Sequence, residues 1–116
     1  MQFARRIAAE TLDVEGVAVP QGSVMLLNLA AANRDPRKWG PTADVLDLTR
    51  VGANEHVSFG GGAHFCLGAA LARLEGQIAL PTLVRRFPRM APAYDEPAWG
   101  MRMVLRGVER LPVTLG

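Results

Sequence analysis

Phe59-Gly60-Gly61-Gly62-Ala63-His64-Phe65-Cys66-Leu67-Gly68 packs three consecutive glycines, a histidine and the only cysteine of the chain into ten residues. Glycine lacks the Cβ that would forbid unusual φ/ψ, so the stretch can wind tightly against a flat group. Cys66 then opens a strongly helical run, Leu67-Gly68-Ala69-Ala70-Leu71-Ala72-Arg73-Leu74-Glu75. Free N–H groups and the positive dipole end at such a start favour thiolate over thiol. A thiolate so placed serves either as a metal ligand or as a nucleophile, and its neighbours have to decide which.

The decapeptide resembles the cysteine-ligand loop of the cytochrome P-450 superfamily, the haem-thiolate monooxygenases. The family pattern asks for Phe, Gly three residues later, a basic residue two before Cys and Gly two after it. Phe59, Gly62, His64, Cys66 and Gly68 meet each requirement. The resemblance implies that Cys66 is the proximal ligand of haem b (iron protoporphyrin IX), with Phe59, Gly60 and Gly62 packed along it. It also implies that N–H groups around Leu67 and Gly68 donate to the sulfur, tuning the iron as such outer hydrogen bonds do. A thiolate ligand pushes electron density onto haem iron and favours O–O cleavage. The activity implied is O2-dependent oxidation of a small organic substrate, with electrons from a ferredoxin or flavodoxin-type partner.

Working outward, Arg6-Ile7-Ala8, Val14-Glu15-Gly16-Val17 and Val19-Pro20-Gln21-Gly22 resemble the hairpin region before the family's meander. There the resemblance gives Arg6 a haem propionate, a task suited to the planar fork of a guanidinium. His64 is implied as a second propionate donor, and His56 as a packing residue. Ala32-Asn33-Arg34-Asp35-Pro36 and Asp47-Leu48-Thr49-Arg50 resemble the two ends of the meander, and Leu111-Pro112-Val113 the closing strand. The same correspondence brings Gln2, Phe3, Val104 and Leu105 towards the substrate pocket.

The expected fold is an α+β piece of a mainly-α architecture: a β-hairpin region, a meander, the Cys-ligand loop, one long helix and short C-terminal strands. Valines at 14, 17 and 19 predict extended chain over 3–19, broken by a turn at Gly16. Ser23 is expected to cap a short apolar helix reaching about Ala32, although so brief a run fits a strand as well. Asn33-Arg34-Asp35-Pro36 ends it, because the residue before proline is pushed out of αR. Residues 37–57 show little periodicity and read as irregular ordered chain. A helix is predicted over 67–87: Leu67, Ala70, Leu71, Leu74 and Ile78 recur at helical spacing, and Pro88 stops it. Pro81 removes a donor inside that helix and should kink its last turns.

Composition supports a globular chain rather than disorder, with 49% hydrophobic and 21% charged residues among 116. A net charge of +2 without a basic cluster argues against nucleic acid. One cysteine excludes an internal disulfide, and the longest apolar run, 24–32, is too short for a bilayer, so a cytoplasmic location with no membrane is expected. The correspondence covers 2–115 here but only about the C-terminal quarter of a typical relative. No Glu-x-x-Arg pair occurs, and the acid–alcohol pair of the oxygen-activating helix is missing; Ala8-Ala9-Glu10-Thr11 imitates it only superficially. The whole chain is therefore expected to be the C-terminal haem-binding portion of one domain, aggregation-prone or partly folded alone. Three other readings compete: a non-catalytic haem-binding remnant, a cysteine nucleophile with His64 or His56 as base, and a zinc site.

Overall fold

The computed structural model describes all 116 residues, which divide into two compact units: Met1–Gly60 with Met103–Leu105, and Gly61–Arg102 with Arg106–Gly116. The first is the β-rich half. Strand β1 (Phe3–Ile7) pairs antiparallel with β4 (Val24–Asn28) in the register Phe3 opposite Asn28 and Ile7 opposite Val24. Between them β2 (Leu12–Val14) and β3 (Val17–Val19) form a second hairpin, closed by a two-residue turn. Glu15 and Gly16 there take φ of 51° and 85°, the left-handed pair that suits the twist of tight hairpins. The Ala8-Ala9-Glu10-Thr11 segment lies between β1 and β2 as non-helical chain, with Ala8 N–H donating to Ser23 O at 2.9 Å. It is not an oxygen-activating helix.

The helix expected from Ser23 is mostly strand. Met25, Leu26 and Leu27 are good helix formers, but five consecutive residues find ladder partners on β1, and that pairing overrides a weak local preference. Helix α1 (Leu29–Ala32) starts only where the ladder ends, capped by Asn28, whose Oδ1 accepts from Ala31 N–H at 3.0 Å. Helix α2 (Pro36–Trp39) follows, with Asp35 as its cap and Pro36 at a first-turn position needing no N–H. Turns and a single 3-10 turn, Ala53–Glu55, carry the chain to Gly60, as the lack of periodicity predicted. Arg50 ties this irregular stretch together by donating to the carbonyls of Trp39 (3.0 Å), Thr42 (2.6 Å) and Val45 (3.2 Å).

The second unit is built on helix α3 (Ala69–Arg86). It begins two residues later than predicted, because Cys66-Leu67-Gly68 forms a turn in which Ala69 N–H donates to Cys66 O at 3.1 Å. Arg85 and Arg86 occupy its last turn, favourable at the negative dipole end. The helix is unbroken through Pro81, and Thr82 Oγ1 donates to Ile78 O at 2.6 Å beside it. Beyond it, β5 (Ala91–Pro92) pairs with β6 (Val113–Thr114), and Trp99 bridges Val108. Val104 and Leu105, expected in strand-like pieces, lie instead in a bend. Only Ala4, Ala8 and Leu29 are buried in the first unit and only Ala69 in the second.

Candidate functional site

The glycine-rich loop crosses from one unit to the other, so each half is described by itself. In the second unit Gly61 is extended and Gly62 takes φ of 62°, starting a 3-10 turn, Gly62–His64. Phe65 N–H closes that turn on Gly62 O at 3.0 Å, and Cys66 follows at once. The thiol of Cys66 is exposed. Leu67 beside it is fully exposed and Phe65 nearly half so. The Leu67 and Gly68 amides take no part in the backbone hydrogen bonding, while Ala72 N–H reaches back to Gly68 O at 2.9 Å. A Cβ on Gly68 would stand 3.9 Å from Cys66 Sγ, and Cβ atoms on Gly61 or Gly62 would meet nothing within 4 Å.

These features fit a large planar cofactor held by sulfur. The donor is a single exposed thiol, apolar side chains flank it, two unpaired amides adjoin it, and the glycines leave open space. The helix itself starts three residues past the cysteine, so its dipole acts on Cys66 from farther off than a thiolate at the first helical position would experience. His64 is exposed, and no hydrogen bond links it to the thiol. A nucleophile–base pair is therefore not formed by these two. No three His, Cys, Asp or Glu side chains gather in metal-binding geometry, which leaves the zinc reading without a ligand set.

In the first unit the residues leading into the loop are held closely. Gly60 takes φ of 76° in a turn that it closes by donating to Val57 O at 2.9 Å. Phe59 is half-buried, its ring 5.6 Å from that of His56 and tilted by 47°. His56 Nδ1 accepts from Ser58 N–H at 3.2 Å, so it is a packing histidine, as expected. Arg6 lies on β1 opposite Met25, half-buried, and spends one N–H on the neighbouring Arg5 O at 2.8 Å. Gln2 and Val104, a hundred residues apart in sequence, meet: Gln2 N–H donates to Val104 O at 2.9 Å. Phe3 follows on β1 and Leu105 follows Val104, so the four residues expected at a substrate pocket share one unit.

A hollow of about 350 Å³ in the same unit is lined by none of the expected cofactor-binding residues, although Asn33, together with His56 and Ser58 of the loop's stem, joins Arg34, Asp47 and Arg50 in its wall. The resolved electrostatic shifts lie outside the loop too. The Arg37 side chain, then its backbone N–H, hold the Asp35 carboxyl below the usual aspartate range, and in return Asp35 and Glu15 raise Arg37. Asp47 is lowered by the Thr49 side chain and then by its N–H. Asn33, which the sequence places only in a stretch resembling one end of the meander and ending a short helix, makes two long-range hydrogen bonds to the loop's stem. Its signal is spatial, joining positions more than twenty residues apart.

With this geometry in view, residues 2–99 match the family model described as cytochrome P-450. The 6-deoxyerythronolide B hydroxylase of Saccharopolyspora erythraea is 45% identical over 95% of the chain, and the vitamin D(3) 25-hydroxylase of Pseudonocardia autotrophica 47% identical over 96%. Among solved structures, P450BioI in complex with a hexadec-9Z-enoic acid ligated acyl carrier protein superposes with TM-score 0.89 at 47% identity, covering 97% of the chain. The tirandamycin C-bound monooxygenase TamI superposes with TM-score 0.90 at 42% identity, covering 99%. Fold and loop thus define a piece of a haem-protein fold with a lone cysteine in its glycine-rich loop. The chain belongs to the cytochrome P-450 family. It spans 27% and 28% of the length of the two hydroxylases, and 29% of each solved chain. No helix is long and apolar enough to cross a membrane.

Proposed function

We propose that the protein carrying this sequence is a haem-thiolate monooxygenase in which Cys66 binds the iron of haem b. Residues 1–116 would then form the C-terminal haem-binding portion of a single domain. The observation that carries the reading is the exposed Cys66 thiol at the end of the Phe59–Gly68 pattern, beside two unpaired amides and ahead of α3. When bound, haem supplies oxygen activation for oxidation of a small organic molecule.

The chain's own residues have separable tasks. Cys66 holds the cofactor as thiolate, and the Leu67 and Gly68 N–H groups stabilise that charge by donating to sulfur. Gly60 and Gly62 let the backbone approach the macrocycle, while Phe59 and Leu67 exclude water near the sulfur. Arg6 and His64 neutralise propionates. Gln2, Phe3, Val104 and Leu105 contact substrate, a role supported by the Gln2–Val104 hydrogen bond that joins their two segments. Electrons come from a ferredoxin or flavodoxin-type protein in the cytoplasm, where a lone cysteine stays reduced.

The test is spectroscopic. Haem-reconstituted protein, reduced and exposed to carbon monoxide, should show a long-wavelength Soret band that Cys66→Ala abolishes. Identical spectra for the two would overturn the assignment. A band without product formation, with an electron donor present, would favour a haem-binding role without catalysis.

A further inference from the structure

Asn33 stands at the C-terminal cap of α1, where asparagine is usually explained by its tolerance of the left-handed conformation. That explanation fails here: Asn33 has φ −73° and ψ −3°, ordinary right-handed values, and caps with its backbone N–H, which donates to Leu29 O at 3.0 Å. The carboxamide is left free for other work, and both of its ends are used on consecutive residues of the loop's stem. Oδ1 accepts from Val57 N–H at 2.8 Å, and Nδ2 donates to Ser58 Oγ at 2.9 Å. The Val57 peptide passes the constraint on, since its carbonyl accepts from Gly60 N–H at 2.9 Å in the turn that sets Gly60 at φ 76°. Ser58 N–H is meanwhile taken by His56 Nδ1 at 3.2 Å. Every hydrogen bond that Val57 and Ser58 receive from outside their own turn comes from this one side chain.

We infer that Asn33 is a positioning residue for the ligand loop: its carboxamide fixes the stem at Val57-Ser58, and thereby the start of the chain that delivers Cys66. This rests on the reading of Cys66 as the iron ligand. A residue 33 positions earlier can act this way because a carboxamide offers a donor and an acceptor in fixed geometry, matched to one N–H and one hydroxyl oxygen. Aspartate would retain the acceptor for Val57 N–H, and the Ser58 hydroxyl can turn to donate to its second oxygen. Alanine retains neither contact.

Three versions of the whole protein that carries this sequence decide the matter: wild type, Asn33→Ala and Asn33→Asp. Hydrogen exchange of the haem-free proteins reads the stem directly. The Val57 amide should exchange roughly tenfold faster in Asn33→Ala, the change expected for one lost hydrogen bond of ordinary strength, and near the wild-type rate in Asn33→Asp. In the haem-reconstituted proteins, reduced with carbon monoxide, Asn33→Ala should shift amplitude from the long-wavelength band of the intact thiolate to the shorter-wavelength band of a lost one. Asn33→Asp should restore it. Unchanged exchange in Asn33→Ala, or an Asp variant as impaired as Ala, overturns the clamp. Unchanged band ratios in Asn33→Ala, with wild type showing the thiolate band, overturn its link to Cys66 while the ligand assignment stands. A wild type without that band instead overturns the ligand assignment and with it the loop-delivery role, while exchange still decides the clamp.

Discussion

Gly60 and Gly62 take φ of 76° and 62°, whereas Gly61 between them is extended. The three glycines are therefore not equivalent, although they look so in sequence. A Cβ on Gly61 or Gly62 would touch nothing within 4 Å, so crowding does not separate them; backbone strain does. A non-glycine residue forced left-handed costs about 1–2 kcal/mol. Gly62→Ala is accordingly expected to destabilise the haem-loaded protein by about that amount, while Gly61→Ala stays within about 0.5 kcal/mol. Urea midpoints of the two variants check this, and equal losses would count against it. The identity of the loop was legible because Phe59, Gly62, His64, Cys66 and Gly68 stand at fixed spacings along one short stretch. The role of Asn33 was not, since its partners Val57 and Ser58 come close only once the chain has folded.

The same division between local and through-space information runs through the secondary structure. The 3–19 region and the long helix were readable because valine-rich alternation and helical spacing are properties of contiguous residues. Residues 24–28 were not, since Val-Met-Leu-Leu-Asn suits either state and its choice is made by β1, twenty residues away. The tie between the β2–β3 hairpin and α2 was equally invisible: Arg37 bridges Glu15 at 2.7 Å and Asp35 at 2.9 Å. The Asp35–Arg37 pair at the start of α2 carries a pH dependence of its own. The Arg37 side chain holds the Asp35 carboxyl below the usual aspartate range, so its contribution is present above that range and is lost as pH falls through the lower folded value. Protease cleavage around α2 should therefore rise below about pH 4 and in high salt, which screens exposed pairs. Asp35→Asn should show the raised rate already at neutral pH. A cleavage rate flat across that range would remove the Asp35–Arg37 pair from the account. Arg50 supplies the corresponding constraint on residues 39–50, and Arg50→Lys is expected to lower stability by about 1–3 kcal/mol, since a point-charge ammonium cannot serve three separated carbonyls.

For the whole molecule the deciding quantity is surface. The chain exposes 9604 Å², against about 6,200 Å² for a globular monomer of its mass and about 7,400 Å² for two independent globules of half that mass. The excess does not depend on how the two units are arranged, and much of it is apolar. On α3, Leu71, Leu74 and Ile78 fall within about 60° of one another around the axis, while Leu80 and Val84 lie about 110–150° away, on the side that carries Arg73 and Gln77 in the first half of the helix. All five are more than half exposed. The helix thus presents one apolar patch in its first half and a second, differently directed one in its last turns, and the amphipathic stripe read from sequence captured only the first. Self-association through one face would leave the other open, so the chain by itself should form polydisperse, dye-binding assemblies rather than a closed dimer. Light scattering separates the cases. Leu71→Lys with Ile78→Lys, or Leu80→Lys with Val84→Lys, should each shrink the assemblies, and only the four-fold variant should yield monomers. If the unmodified chain is monodisperse and melts cooperatively, the exposed faces are not sticky. If either pair alone gives monomers, only one of the two faces drives association.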